Sequence, residues 1–401
     1  MSDSDPPAST TGLAPGEILA VLRKTHGLTQ TQLARRANIS LSLLSKIEIG
    51  DRSLTPAVAA GVGRAMGLTM AEVLGKAPVA TDEAPTLTEL RAALRDYDVP
   101  SAVRLPEGVV GAEMAVAHGH RRDVKVSKLL ALLPKLLRDA TTHALTANTP
   151  EAWTRLAHVY STIYWLAARH RWMDLAELAV ARQRWSVDQC PTPLAAAVAA
   201  RDRAGTYLNF GDVERGLNVV DHAIARAQGV LSGTERDTAV CILNLRGMAL
   251  ASRLPDKREA KREAERHIRS ATWAAAGLGV RDKSFLGLTV GPQNTHLHQL
   301  AAYVDLGRPN DALTLADDLP EALNGLPPTR VAPTHINVAR ASLDVGDRDR
   351  ALKHLSLAWD IAPEMARIHP MGREVFRVIA SLHQRSNPEL MRLSKLAGLP
   401  L

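Results

Sequence analysis

Aromatic residues are scarce in this chain: phenylalanine, tyrosine and tryptophan together make up 3% of 401 residues. A core poor in rings has to be built from alanine, leucine and valine, and such cores come from closely packed helices. Cysteine is nearly absent. Cys190 and Cys241 alone exclude an all-cysteine zinc site and argue against a disulfide framework. No run of about 18 apolar residues exists, so no membrane span is expected. The N-terminal Met1-Ser2-Asp3-Ser4-Asp5-Pro6-Pro7 lacks the basic and apolar regions of a signal peptide. A reducing cytoplasm is the expected compartment. Strand-like alternation is not apparent anywhere.

What is present is helical. Hydrophobic residues reach 46%, enough to bury a core in two to four domains of ordinary size. The net charge is +7, which suits a polyanionic partner without requiring one. Residues 1–14 are rich in Ser, Thr, Asp and Pro and read as a disordered tail. Residues 15–76 read as one compact helical domain, 77–85 as a Pro- and Ala-containing linker, and 86–401 as a second helical domain.

In the first domain Ile18, Leu19 and Leu22 share a helix face, and Gly27 ends that helix. Thr29 with Gln32 forms a capping box for a second helix. Asn38-Ile39-Ser40 reads as a turn, with Ser40 capping a third helix that buries Leu44 and Ile47. Thr55-Pro56 opens a fourth helix, and Met70 to Leu74 a short fifth. Between Gly16 and Lys76 eight basic residues face four acidic ones.

Leu28-Thr29-Gln30-Thr31-Gln32-Leu33-Ala34, followed by Asn38-Ile39-Ser40 and Leu44-Ser45-Lys46-Ile47-Glu48-Ile49-Gly50, resembles the repressor-type helix-turn-helix family, also called the xenobiotic-response-element family. The resemblance implies that the third helix enters the major groove of double-stranded DNA. By match, Ser40, Leu41, Ser42, Leu43 and Lys46 open or line that helix. Lys46 could donate to guanine and a leucine could pack on a thymine methyl. Gln30 and Gln32, with Arg52 and Ser53 in the following loop, are the expected phosphate contacts. Glu48 is expected to be structural. A homodimer on an inverted-repeat operator is the implied assembly.

The second domain repeats. Gly211-Asp212, Gly307-Arg308 and Gly346-Asp347 each separate two apolar helices. Small residues recur at Ala176, Gly216, Ala260, Ala312 and Ala351, where a second helix must approach the first. The last hairpin, with Ala339, Gly346, Asp347, Ala351, Leu355, Ala358 and Pro363, resembles a tetratricopeptide repeat. Gly277 to Gly291 looks like an insertion. The expected fold is therefore all-α: a five-helix helix-turn-helix domain followed by an α-solenoid of tetratricopeptide-like hairpins.

This architecture resembles actinobacterial regulators and the peptide-sensing quorum regulators of Gram-positive bacteria. The resemblance implies a transcriptional regulator whose solenoid senses a peptide or small molecule and controls dimer geometry. Register places His158, Trp165, Arg169, Arg201, Asn209, Arg253, Asn294, Asp305, Arg340 and Asp344 on the concave face. Asparagine could satisfy a peptide backbone and arginine a carboxylate. A DNA-localised scaffold that recruits a protein through the solenoid is the alternative. An enzyme is not expected, since no nucleophile–base arrangement stands out. No cofactor is implied. His118-Gly119-His120 and Thr295-His296-Leu297-His298 lack further ligands at metal spacing. Gly61-Val62-Gly63-Arg64-Ala65-Met66-Gly67 follows no strand and is not read as a nucleotide loop. Arg253 to Arg269 alternates charge and reads as a solvated helix.

Overall fold

The computed structural model describes residues 14–66, 68, 73–74, 83–101, 108–190, 192–382 and 387–399. The chain divides into two compact units, Met1–Ala84 and Pro85–Leu401. The expected tail and most of the expected fifth helix and linker lie outside the described residues.

The first unit holds α1 (Pro15–Thr25), α2 (Gln30–Ala37), α3 (Leu41–Glu48) and α4 (Pro56–Met66). Local chemistry sets their ends. The backbone N–H of Thr29 donates to Gln32 Oε1 at 2.9 Å, and Gln32 N–H returns a bond to Thr29 Oγ1 at 3.2 Å. Ser40 Oγ accepts from Leu43 N–H at 3.1 Å. Asn38 turns the chain between α2 and α3 in the left-handed conformation, φ 55°, which asparagine tolerates better than most residues. Leu19, Leu33, Leu44, Ile47 and Val62 are fully buried between the helices, and Val73 joins them.

The second unit begins with α5 (Glu83–Arg95), which starts just before the division. Then follow α6 (Val109–Arg122), α7 (Val126–Ala147), α8 (Pro150–His170), α9 (Met173–Gln189), α10 (Pro193–Phe210), α11 (Val213–Val230), α12 (Gly233–Ala251) and α13 (Lys257–Ala276). After a short hairpin come α14 (Pro292–Asp305), α15 (Pro309–Leu315), α16 (Leu319–Leu323), α17 (Pro328–Asp344) and α18 (Arg348–Ile361). The unit ends with α19 (Met365–Ile368), α20 (Pro370–Leu382) and α21 (Pro388–Ala397).

Helices pair as antiparallel hairpins: α8 with α9, α10 with α11, α12 with α13, α14 with α15, and α17 with α18. The first helices also touch one another along the series, α8 to α10 to α12 to α14 to α17. This is the solenoid arrangement. The five small positions are all buried, and Gly216 shows why. A Cβ there would lie 2.6 Å from Leu250 Cδ2 and 3.1 Å from Tyr207 Cβ. The turn glycines Gly211, Gly307 and Gly346 all have φ between 70° and 84°, a conformation costly for residues with a Cβ.

Two features go beyond the sequence expectation. A two-stranded antiparallel hairpin, β1 (Lys283–Phe285) and β2 (Leu288–Val290), occupies the expected insertion. Leu286 and Gly287 form its two-residue turn, both at positive φ. Three-residue strands are too short to show alternation, so the reading of no strands was incomplete here. The solenoid also closes on itself. One hydrophobic core runs from Leu90 through Trp165 and on to Ile336, Trp359 and Phe376. Ser127 donates from its backbone N–H and its hydroxyl to Glu364 at 2.8 and 2.9 Å, joining the start of α7 to the loop before α19. No described helix is long and apolar enough to cross a membrane.

Candidate DNA-binding face and ligand cavity

In the first unit, an ion pair fixes α1 against α3. Arg23 Nε and Nη2 donate to the two carboxylate oxygens of Glu48 at 2.7 and 2.9 Å. Arg23 Nη1 donates to Leu28 O at 2.8 Å, and Gln30 Nε2 donates to Glu48 Oε2 at 2.8 Å. Burial alone would raise the Glu48 carboxyl, but the bonds from Arg23 and Gln30 outweigh it and hold it below its ordinary value. Glu48 is thus structural, as expected.

That network changes the reading of the second helix. The Gln30 amide nitrogen is committed to Glu48, and the Gln32 carbonyl to the cap of α2. Phosphate binding by these two residues would rest on the remaining half of each amide and on backbone N–H groups.

On α3 the expected readers divide. Ser40 is committed to its cap. Leu43 packs against the core. Ser42 and Lys46 are exposed, as are Arg52 and Ser53 in the loop. Leu41 is 45% exposed, at the first position of a helix whose other leucines, Leu43 and Leu44, are half-buried and fully buried. An apolar side chain held outward at that point is what a thymine methyl would contact. Arg35 and Arg36, in the last turn of α2, are exposed too and were not among the expected contacts.

In the second unit the inner ends of the first helices line a partly open cavity of about 420 Å³. Six expected residues line it: Trp165, Arg169, Arg201, Asn209, Arg253 and Asn294. Asp305 and Arg340 stand behind, with Asp305 accepting from Arg253 Nε at 3.0 Å and from Arg340 Nη2 at 2.8 Å. The other two do not join. His158 is buried beside His118 and Arg121, where burial and those charges push its pKa down to about 3. Asp344 is exposed on the last turn of α17 and does not line the cavity.

Sequence reasoning missed Arg121, Arg246, Arg330 and Asp202, which also line the cavity. Arg246 lies on α12, seven residues before Arg253 in the turn that follows it. Carrying each inner face two turns further toward its N-terminus would have found it. Arg121 comes from α6, outside the repeats, and had no such signal.

The cavity's charge is lopsided. Among the described residues seven arginines line it, and Asp202 is the only lining carboxylate. Asp202 already accepts from Arg201 Nη1 at 2.6 Å, from Ser161 Oγ at 2.6 Å and from Gln183 Nε2 at 3.1 Å. Burial, partly offset by Asp202, lowers the Arg121 pKa to about 9. Burial, with Arg201 and Arg246 nearby, lowers Arg330 to about 10. Arg169 is pushed well down by burial and by Arg330 and Arg121. Its guanidinium stacks 4.0 Å from the Trp165 ring. His369 is driven down to about 3 by burial and stays neutral at pH 7. Among the described residues no cluster of His, Cys, Asp and Glu could hold a metal.

Residues 19–73 match the model of the helix-turn-helix family. The first unit is a helix-turn-helix domain. The match stops there, and no curated protein matches the sequence. Solved structures align over most of the chain but distantly. One is Bacillus thuringiensis PlcR in complex with the peptide PapR7 and DNA, 11% identical, TM-score 0.28, covering 88% of this chain and 96% of that one. Another is a point mutant of PrgX, 10% identical, TM-score 0.28, covering 95% of this chain and 99% of that one. At such scores neither carries its ligand or assembly over.

Proposed function

We propose that the protein is a homodimeric, sequence-specific DNA-binding transcriptional regulator of the cytoplasm. Its tetratricopeptide-like second unit holds a peptide or small-molecule effector in the arginine-lined cavity. Effector binding favours one curvature of the solenoid and with it one spacing of the paired readers on an inverted repeat. Only an effector with different affinity for the two states can do this.

The observation that carries the reading is the exposed face of α3, where Leu41 and Ser42 in its first turn and Lys46 in its last face outward on a helix-turn-helix domain. These side chains offer few hydrogen bonds to base edges. Affinity must then rest on phosphate contacts and on using two domains at once. The cavity favours an effector over the scaffold alternative, because a concave space of this size suits a small ligand better than a protein surface.

Nuclease footprinting of DNA upstream of the protein's own gene tests the dimeric reading. Two protected half-sites are expected, their centres about 10 base pairs apart or a multiple of that. A single asymmetric footprint, saturating at one chain per site, would contradict it.

A further inference from the structure

Resting on the reading of the cavity as an effector site, we infer that its ligand is a phosphorylated small organic molecule carrying two phosphate groups or a diphosphate. The argument begins with which charges are already answered. Arg201 is paired with Asp202, and Arg253 with Asp305. Arg171 is exposed to solvent. The other four lining arginines, Arg121, Arg169, Arg246 and Arg330, have no carboxylate within ion-pairing distance among the described residues.

These four come from α6, α8, α12 and α17, yet they converge. Arg330 acts on both Arg169 and Arg121, and Arg201 acts on all four. Four like charges held together away from bulk water repel one another, and folding alone gives no reason to gather them. Histidine does not share the load, since His369 and His298 are neutral.

Hydrogen bonding points the same way. Nε of Arg169, Arg246 and Arg330, Nε1 of Trp165 and Nδ2 of Asn209 are buried with no protein partner. All five are donors, against one lining acceptor in the same state among the described residues, Asn294 Oδ1. Buried donors are ordinarily satisfied, so this wall is built for a group rich in acceptor oxygens. The lining also includes the apolar side chains Ile242, Leu245 and Leu288. The ligand therefore has a polyanionic head and an organic body.

Charge count separates phosphate from carboxylate. A peptide's terminal carboxylate brings one negative charge. A phosphate ester brings about 1.5 to 2 at pH 7 and three acceptor oxygens. Two phosphates answer four arginines. Guanidinium forks also match phosphate oxygens in pairs. A volume of about 420 Å³ lies within the range of small-molecule sites, roughly 300–1,000 Å³.

Thermal unfolding of the full chain in a phosphate-free buffer tests this, with inorganic pyrophosphate, ADP and adenosine as probes at 1–5 mM. Pyrophosphate or ADP is expected to raise Tm by at least about 3 °C, and adenosine to leave it unchanged. Arg246→Gln and Arg330→Gln, singly, are expected to abolish the rise. Each also removes a repelling charge, so the unliganded Tm of each variant should equal or exceed that of the parent. A rise that persists in both variants places the anion elsewhere and overturns the inference. So does the absence of any rise with either phosphorylated probe. If culture extract still alters DNA binding in that case, the effector reading stands and only the ligand class falls. If extract is also without effect, both fall.

Discussion

Replacing Arg23 with alanine is expected to cost the helix-turn-helix domain about 3–5 kcal/mol, the usual penalty for leaving one member of a buried ion pair alone. Glu48 would keep only the Gln30 amide, and Leu28 O would lose its donor. A domain with so small a core has little stability to lose. Urea unfolding followed by circular dichroism should show an early transition for this unit. The double replacement Arg23→Met with Glu48→Leu removes both charges and should recover most of the loss. Acid acts on the same pair. The folded Glu48 carboxyl sits below its ordinary value. Its contribution is complete above the unfolded value of about 4.3. It drains away as pH falls through the folded value. Arg23→Ala with an unchanged urea midpoint would show that the pair stabilises nothing.

Lys46→Glu is expected to weaken DNA binding by about 100-fold or more. Each subunit would exchange an attraction for a repulsion against the phosphate field, and like charges facing across an interface cost several kcal/mol. Lys46 is exposed and has no ion-pair partner among the described residues, so folding should be unaffected. Fluorescence anisotropy across a salt series is the appropriate measurement. The neutral variant Lys46→Ala should lower the salt slope by about one per lysine that meets phosphate. Binding by Lys46→Glu at the parent's affinity would remove the exposed face of α3 from the interface.

The parts of this fold that were legible are those governed by neighbours in sequence. Thr29 with Gln32 and Ser40 with Leu43 N–H are caps closed within three residues, and both formed. The small residues at Ala176, Gly216, Ala260, Ala312 and Ala351 marked the hairpins because close helix approach needs them at fixed positions. Six of the ten residues that register put on the inner face line one cavity. What was hidden depends on chain closure. Nothing local ties Ser127 to Glu364, or Arg121 on α6 to Arg330 on α17. The convergence of four arginines with no carboxylate partner among the described residues became visible only once the solenoid's ends met. Gln30 shows the opposite limit. Its sequence position suggested phosphate, and a buried carboxylate 18 residues away took its amide instead.

The central claim is that the second unit decides when the first meets DNA. A gel-shift titration of the full chain on DNA upstream of its own gene, with and without culture extract, tests it most directly. A shift of the binding midpoint by about fivefold or more with extract is expected, matching an ordinary allosteric coupling. Arg246→Gln and Arg330→Gln should bind DNA normally and ignore the extract. Superimposable titrations with and without extract, for the parent chain, would contradict the account.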